Sequence, residues 1–173
     1  MARYDYSHGM FLSSGDFWYQ VNENEDPTKD NPDTLRAEWF PIGVKIGPVT
    51  AKYLIDYTKT TGERTGKELE SSVEHQLRLY APLYKWDKLS LSTEARITLH
   101  AEEEYNETKG YAAYKDFGRN RLYLKANYAV SEDFNVYVNY AYELRDREAR
   151  DNYKDTVYND DFQTLIFGWN YKF

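Results

Sequence analysis

Apolar and polar residues alternate with a period of two along most of this chain. The clearest stretch is the last, DFQTLIFGWNYKF from Asp161 to Phe173. Leu165, Phe167, Trp169, Tyr171 and Phe173 fall on one face; Thr164, Ile166, Gly168, Asn170 and Lys172 fall on the other. A strand sorts side chains this way and a helix does not. The sorting recurs upstream. Phe134, Val136, Val138, Tyr140, Tyr142 and Leu144 oppose Asn135, Tyr137, Asn139, Ala141, Glu143 and Arg145. Leu122, Leu124, Ala126, Tyr128 and Val130 oppose Arg121, Tyr123, Lys125 and Asn127. Leu89 to Leu99 gives an apolar odd set against Ser90, Ser92, Glu94, Arg96, Thr98 and His100. Leu77, Leu79, Ala81 and Leu83 oppose Gln76, Arg78, Tyr80 and Tyr84, and Val49 to Tyr57 opposes Thr50, Lys52, Asp56 and Thr58. Two less regular runs precede these: Phe40, Ile42, Val44 and Ile46, then Phe17, Tyr19 and Val21.

The punctuation between runs comes in two sizes. Gly47-Pro48, Tyr84 to Leu89 and Val130 to Phe134 predict tight hairpins. Asn22 to Thr34, Thr60 to Lys67, Glu102 to Arg119 and Asp146 to Asp161 read as long polar connections. Short turns at one rim and long loops at the other predict an all-β, antiparallel up-and-down transmembrane β-barrel, residues 1–173 forming one domain. Eight strands are expected from Asp16 onward. Residues 1–15 are either an arm or an extra strand, since Tyr4, Tyr6, Met10 and Leu12 alternate with Arg3, Asp5, Ser7 and Gly9. A ninth strand would not close an antiparallel barrel, so the alternative is the C-terminal part of a larger porin of about 12–16 strands.

Alternation alone leaves open whether the apolar face meets lipid or a dry core. Composition narrows this. Mean hydropathy is −0.86, yet aromatics make up 17% and tyrosine alone 18 residues, which is unlike a disordered chain. No apolar run reaches the ~20 residues of a transmembrane helix. Placing Lys52, Asp56, Glu74, Arg78, Glu94, Arg96, Arg121, Lys125, Glu143, Arg145 and Lys172 in a dry core would cost several kcal/mol per poorly paired ion, whereas a wet lumen accommodates them. The apolar faces also end in aromatics, Phe17, Tyr19, Trp86, Tyr128, Phe134, Trp169, Tyr171 and Phe173, the residue types of a membrane-interface girdle. A soluble lipocalin-like binding protein is the rival with the faces reversed. No signal peptide is visible, so Met1 is expected to mark an engineered start, a mature form or a shortened one.

The terminal strand of alternating aromatics closing on Phe173 resembles the C-terminal signal by which bacteria assemble outer-membrane barrels. The tyrosine-rich hairpins with charged inward residues, from Leu35 to Phe173, resemble the monomeric porins of the outer-membrane porin G and KdgM type. That resemblance implies an outer-membrane location, contact with lipopolysaccharide and with the assembly machinery, a monomer, and passive diffusion of small hydrophilic solutes or ions.

No enzyme is expected. There is no cysteine and no G-x-S-x-G elbow. The histidines are His8, His75 and His100; parity puts His75 on the apolar face and His100 inward beside Glu102. Lys52, Arg78, Arg96, Arg121, Lys125 and Lys172 form either a track for anions or a network neutralised by Asp56, Glu74, Glu94 and Glu143. The acidic segments Asn22 to Asp33 and Asp146 to Asp161 lack calcium-loop spacing and read as solvated loops, so no metal and no cofactor are expected. A net charge of −7 argues against nucleic acid. The remaining alternative is a small non-conducting barrel with a structural or surface role.

Overall fold

The computed structural model describes residues 1–22, 33–61, 71–104, 111–149 and 158–172. They form nine strands: β1 Ala2–His8, β2 Phe11–Gln20, β3 Asp33–Ile46, β4 Val49–Thr61, β5 Ser71–Trp86, β6 Leu89–Glu104, β7 Tyr111–Ala129, β8 Phe134–Ala149 and β9 Tyr158–Tyr171. Each strand pairs antiparallel with the next, giving one sheet in chain order. There is no helix among the described residues. The sheet is open: β1 and β9 are its edges and are not hydrogen-bonded to each other. Nine strands stand where eight were expected, because Ala2–His8 is not a loose arm but pairs with β2 along its whole length.

The turns follow from local chemistry. Gly9, Gly47 and Asp87 each open a two-residue loop, at φ of 58°, 58° and 45°. Positive φ costs glycine nothing and is tolerated by aspartate. In the fourth short connection the Phe134 carbonyl accepts from the N–H groups of Val130 and Ser131, at 2.9 and 3.0 Å. All four short turns lie at one rim. At the other rim the strands run further than expected. β7 begins at Tyr111, β8 continues to Ala149 and β9 starts at Tyr158, all inside segments whose polarity reads as loop. β5, β6 and β8 have 16 residues each and β7 has 19, against the roughly 10 needed to cross a bilayer.

Bulges move several side chains to the face opposite the one parity assigns, because an extra residue shifts every later one by a half-period. An irregularity between Trp39 and Ile42 turns Phe40 inward, where Lys52 and Arg78 lie 5.1 and 5.2 Å from its ring. A second, between Pro82 and Tyr84, turns Tyr84 outward opposite Leu91. A third leaves Leu99 unpaired and brings His100 opposite His75 on the outward face, not the inward one. A fourth, between Leu12 and Ser14, leaves Leu12 opposite Gly43 on the inward side.

Candidate functional site: the charged concave face

The two faces of the sheet are inverted relative to a soluble protein. The fully buried or nearly buried large side chains among the described residues are Leu54, Gln76, Arg78, Glu94 and Thr98, four of them polar. The opposite face carries Ile42, Leu122, Leu124, Tyr128, Val136, Leu165, Phe167, Trp169 and Tyr171, all exposed, with Phe167 at 69% and Trp169 at 72%. A single layer buries one face only if it curls. Contacts between strands that are not neighbours show that it does. Arg119 of β7 reaches Glu74 of β5 at 3.1 Å, Arg147 of β8 reaches Glu103 of β6 at 3.8 Å, and Arg78 of β5 lies over Phe40 of β3.

Strand pairing sets Lys52, Arg78, Arg96 and Arg121 side by side in one row across β4 to β7, with Glu143 next on β8. Adjacent like charges repel, and carboxylates on neighbouring rows offset this. Glu94, almost fully buried, accepts from Arg96 Nε at 2.5 Å and pairs with Lys125 Nζ. Glu143 accepts from Arg119 and Arg145, both at 2.7 Å. Glu74 accepts from Thr98 and Arg119. Arg78 donates to Gln76 Oε1 at 3.1 Å. Arg121 differs from the others: its Nε is buried without a hydrogen-bond partner among the described residues. Asp56 faces Arg36 at 3.4 Å. The charged residues singled out from sequence between Lys52 and Arg145 therefore all lie on the concave face. Lys172 lies beyond the end of β9, its N–H bonded to the Asp133 carbonyl at 2.9 Å. Sequence reasoning missed Arg36, Arg119, Arg147 and Glu103 as members of this network. Arg119 and Glu103 sit in a segment that reads as a loop, and Arg36 precedes the bulge that broke the parity of β3.

The outward aromatics also share rows. Trp86, Leu89, Tyr128, Val136 and Trp169 form one continuous row across β5 to β9, and Phe134 pairs with Tyr171 beyond it. This places Trp86, Tyr128, Phe134, Trp169 and Tyr171 in a band beside the short turns, whereas Phe17 and Tyr19 stand toward the opposite rim. Phe17 and Tyr19 lie outward on β2, opposite Ala37 and Leu35. Phe173 lies outside the described residues.

Beyond the apolar band, on the loop side, His100 Nδ1 meets Asp116 at 2.7 Å and Nε2 meets Glu102 at 3.1 Å. These two carboxylates, Asp116 first, hold the exposed imidazole above the ordinary histidine range. His75 stacks on it at 6.3 Å and bonds the Tyr53 hydroxyl at 2.5 Å. A raised folded pKa stabilises the fold below the unfolded value of 6.5, and that stabilisation is lost as pH rises through the folded value. His100→Gln is therefore expected to flatten the dependence of melting temperature on pH above about 6.5. Equal pH profiles for the variant and the parent would show the contact to be energetically empty. No group of His, Cys, Asp or Glu among the described residues has the arrangement of a metal site.

No protein-family model, no curated protein and no solved structure matches the chain.

Proposed function

We propose that this sheet is the wall of an outer-membrane β-barrel that passes small hydrophilic solutes passively, with a mild preference for anions. The observation that carries this reading is the inversion of the faces. Apolar side chains are exposed on the convex side, and the charges gather on the concave side, with Arg78 and Glu94 buried and the others partly exposed. A soluble protein does not leave such a surface uncovered, and a lipocalin-like fold buries the opposite face. A bilayer favours this arrangement, and the aromatic row beside the short turns falls where a membrane interface would hold it. All of the outward face from Leu89 to Ile97 fits a hydrocarbon layer.

The anion preference rests on the cationic row. Lys52, Arg78, Arg96 and Arg121 lie at one level and put four cations side by side. Guanidinium matches carboxylate and phosphate oxygens.

Closure adds a topological condition. Eight antiparallel pairings make β1 and β9 run in the same direction. Direct closure would create one parallel pair. A fully antiparallel barrel would need an odd number of further strands bridging the open edges of β1 and β9, as in a larger porin.

A second reading, the non-conducting small barrel, draws on the filled centre of the concavity, where Leu54, Gln76, Thr98 and Glu94 leave almost no exposed surface. Planar-bilayer recording of the detergent-refolded protein separates the two. Open-channel current is expected, with a reversal potential on the anion-selective side under a salt gradient. Arg121→Glu should move that potential toward cation selectivity. Absence of current would remove the channel reading and leave the filled barrel.

A further inference from the structure

We propose that the loop-side end of the concave face is a binding cup for a small zwitterion, a solute with a free ammonium and a free carboxylate. Only its side of entry rests on the outer-membrane reading; the recognition does not. The cup is a cleft of about 260 Å³ to which all six strands from β3 to β8 contribute side chains. A cleft of that size admits a solute as small as a dipeptide of glycine.

Its chemistry is two-signed. Arg36 and Asp56 line it from β3 and β4, while Glu103 and Arg147 line it from β6 and β8. Between them Glu74 and Arg119 form a closer pair at 3.1 Å, and Glu143 also takes Arg119 at 2.7 Å. The outer two pairs are longer, 3.4 Å for Arg36–Asp56 and 3.8 Å for Arg147–Glu103. Glu38 at 3.1 Å also holds Arg36, and the Tyr114 hydroxyl at 2.7 Å accepts from Arg147, so both guanidinium groups are fixed at the rim of the cleft while Glu74–Arg119 forms its floor. Arg36 also has its Nε buried without a hydrogen-bond partner among the described residues. Each side therefore presents a cation and an anion together. A simple anion would meet Asp56 or Glu103 as well as an arginine, and a simple cation the reverse. A solute carrying both charges satisfies both sides, which makes this cup different in kind from the cationic row below it.

Isothermal titration of the detergent-refolded protein tests this with three probes: glycylglycine, N-acetylglycine, which lacks the ammonium, and glycinamide, which lacks the carboxylate. Glycylglycine is expected to bind, and each single-charge analogue to bind about tenfold more weakly or worse, the loss of one charge-assisted hydrogen bond. Arg147→Gln and Asp56→Asn should each weaken glycylglycine by a similar factor. The analogue series uses the unaltered protein, so its outcome does not depend on either variant folding. N-acetylglycine binding as tightly as glycylglycine, or no heat from any of the three, overturns the proposal. Conductance is read separately. A current without glycylglycine binding removes the cup and keeps the channel. Binding without current does the opposite.

Discussion

Glu94→Leu is expected to lower the stability of the folded sheet by about 3 kcal/mol, the lower end of the cost of breaking a buried ion pair from one side. The Glu94 side chain is only 3% exposed and lies between Arg96 Nε and Lys125 Nζ. Arg96 sits in a row between Arg78 and Arg121, so removing the carboxylate leaves several cations facing one another with no counter-charge at their centre. Lys125 is partly exposed, at 37%, and water can take over some of its solvation, which keeps the loss near the lower end. Glu94→Gln, which keeps an acceptor oxygen but no charge, should cost less. Glu94→Leu combined with Lys125→Met should recover part of the loss, since an apolar pair can replace a buried ionic one. Denaturant titration of the detergent-refolded protein measures all three. A Glu94→Leu midpoint equal to that of the parent would mean that the cationic row is held apart by solvent and not by Glu94.

The position of Glu94 shows what period-two counting can deliver. From the turn at Asp87-Lys88, the even residues Ser90 to Thr98 alternate without interruption, and their inward placement is legible from sequence. So are β8 from Phe134 to Arg145 and the apolar face of β9. What counting cannot show is a bulge, because the extra residue looks like any other until its partner strand is in place. Phe40, Tyr84 and His100 are assigned to the wrong face for this one reason. His100 is the costliest of these errors, since the bulge at Leu99 converts an expected inward residue into part of an outward cluster with His75, Asp116 and Glu102. The cationic row is legible only in part. Each of its members reads as inward, but that they share one level depends on registers summed across three strand pairings, one of them interrupted by bulges. The length of β7 is hidden for another reason. Beyond the apolar band both faces of a strand can be polar, so Tyr111 to Arg119 carries no alternation to read. No alternation within a strand encodes whether the edges of β1 and β9 meet, and in the sheet they stay apart.

Within that unreadable stretch, two neighbouring residues should respond in opposite directions to small substitutions. Pairing is irregular between Tyr114 and Arg119 of β7, and Phe117 within it has φ of 59°. For a bulky L-residue that conformation costs about 1–2 kcal/mol. The ring is 61% exposed, so it gains little from burial. What holds it is its surroundings: Asn120 Nδ2 donates to the Phe117 carbonyl at 2.7 Å, and Lys115 pairs with Asp146 at 2.9 Å. Phe117→Gly relieves the strain, against roughly 0.5–1 kcal/mol for the added freedom of glycine in the unfolded chain. A net gain of up to about 1 kcal/mol is expected. Gly118→Ala should do the reverse. A Cβ there would fall within 3.0 Å of the backbone of Lys115 and closer still to the Asp146 carbonyl oxygen of β8. Backbone cannot rotate aside as a side chain can, so β7 and β8 must separate at this point, at about 1–3 kcal/mol. Hydrogen exchange distinguishes this from global unfolding. Gly118→Ala should speed exchange at Arg119, Arg145 and Arg147 and leave Leu122 to Tyr128 protected. Uniform loss across β7, or a Phe117→Gly variant less stable than the parent, would contradict the strained bulge as the cause.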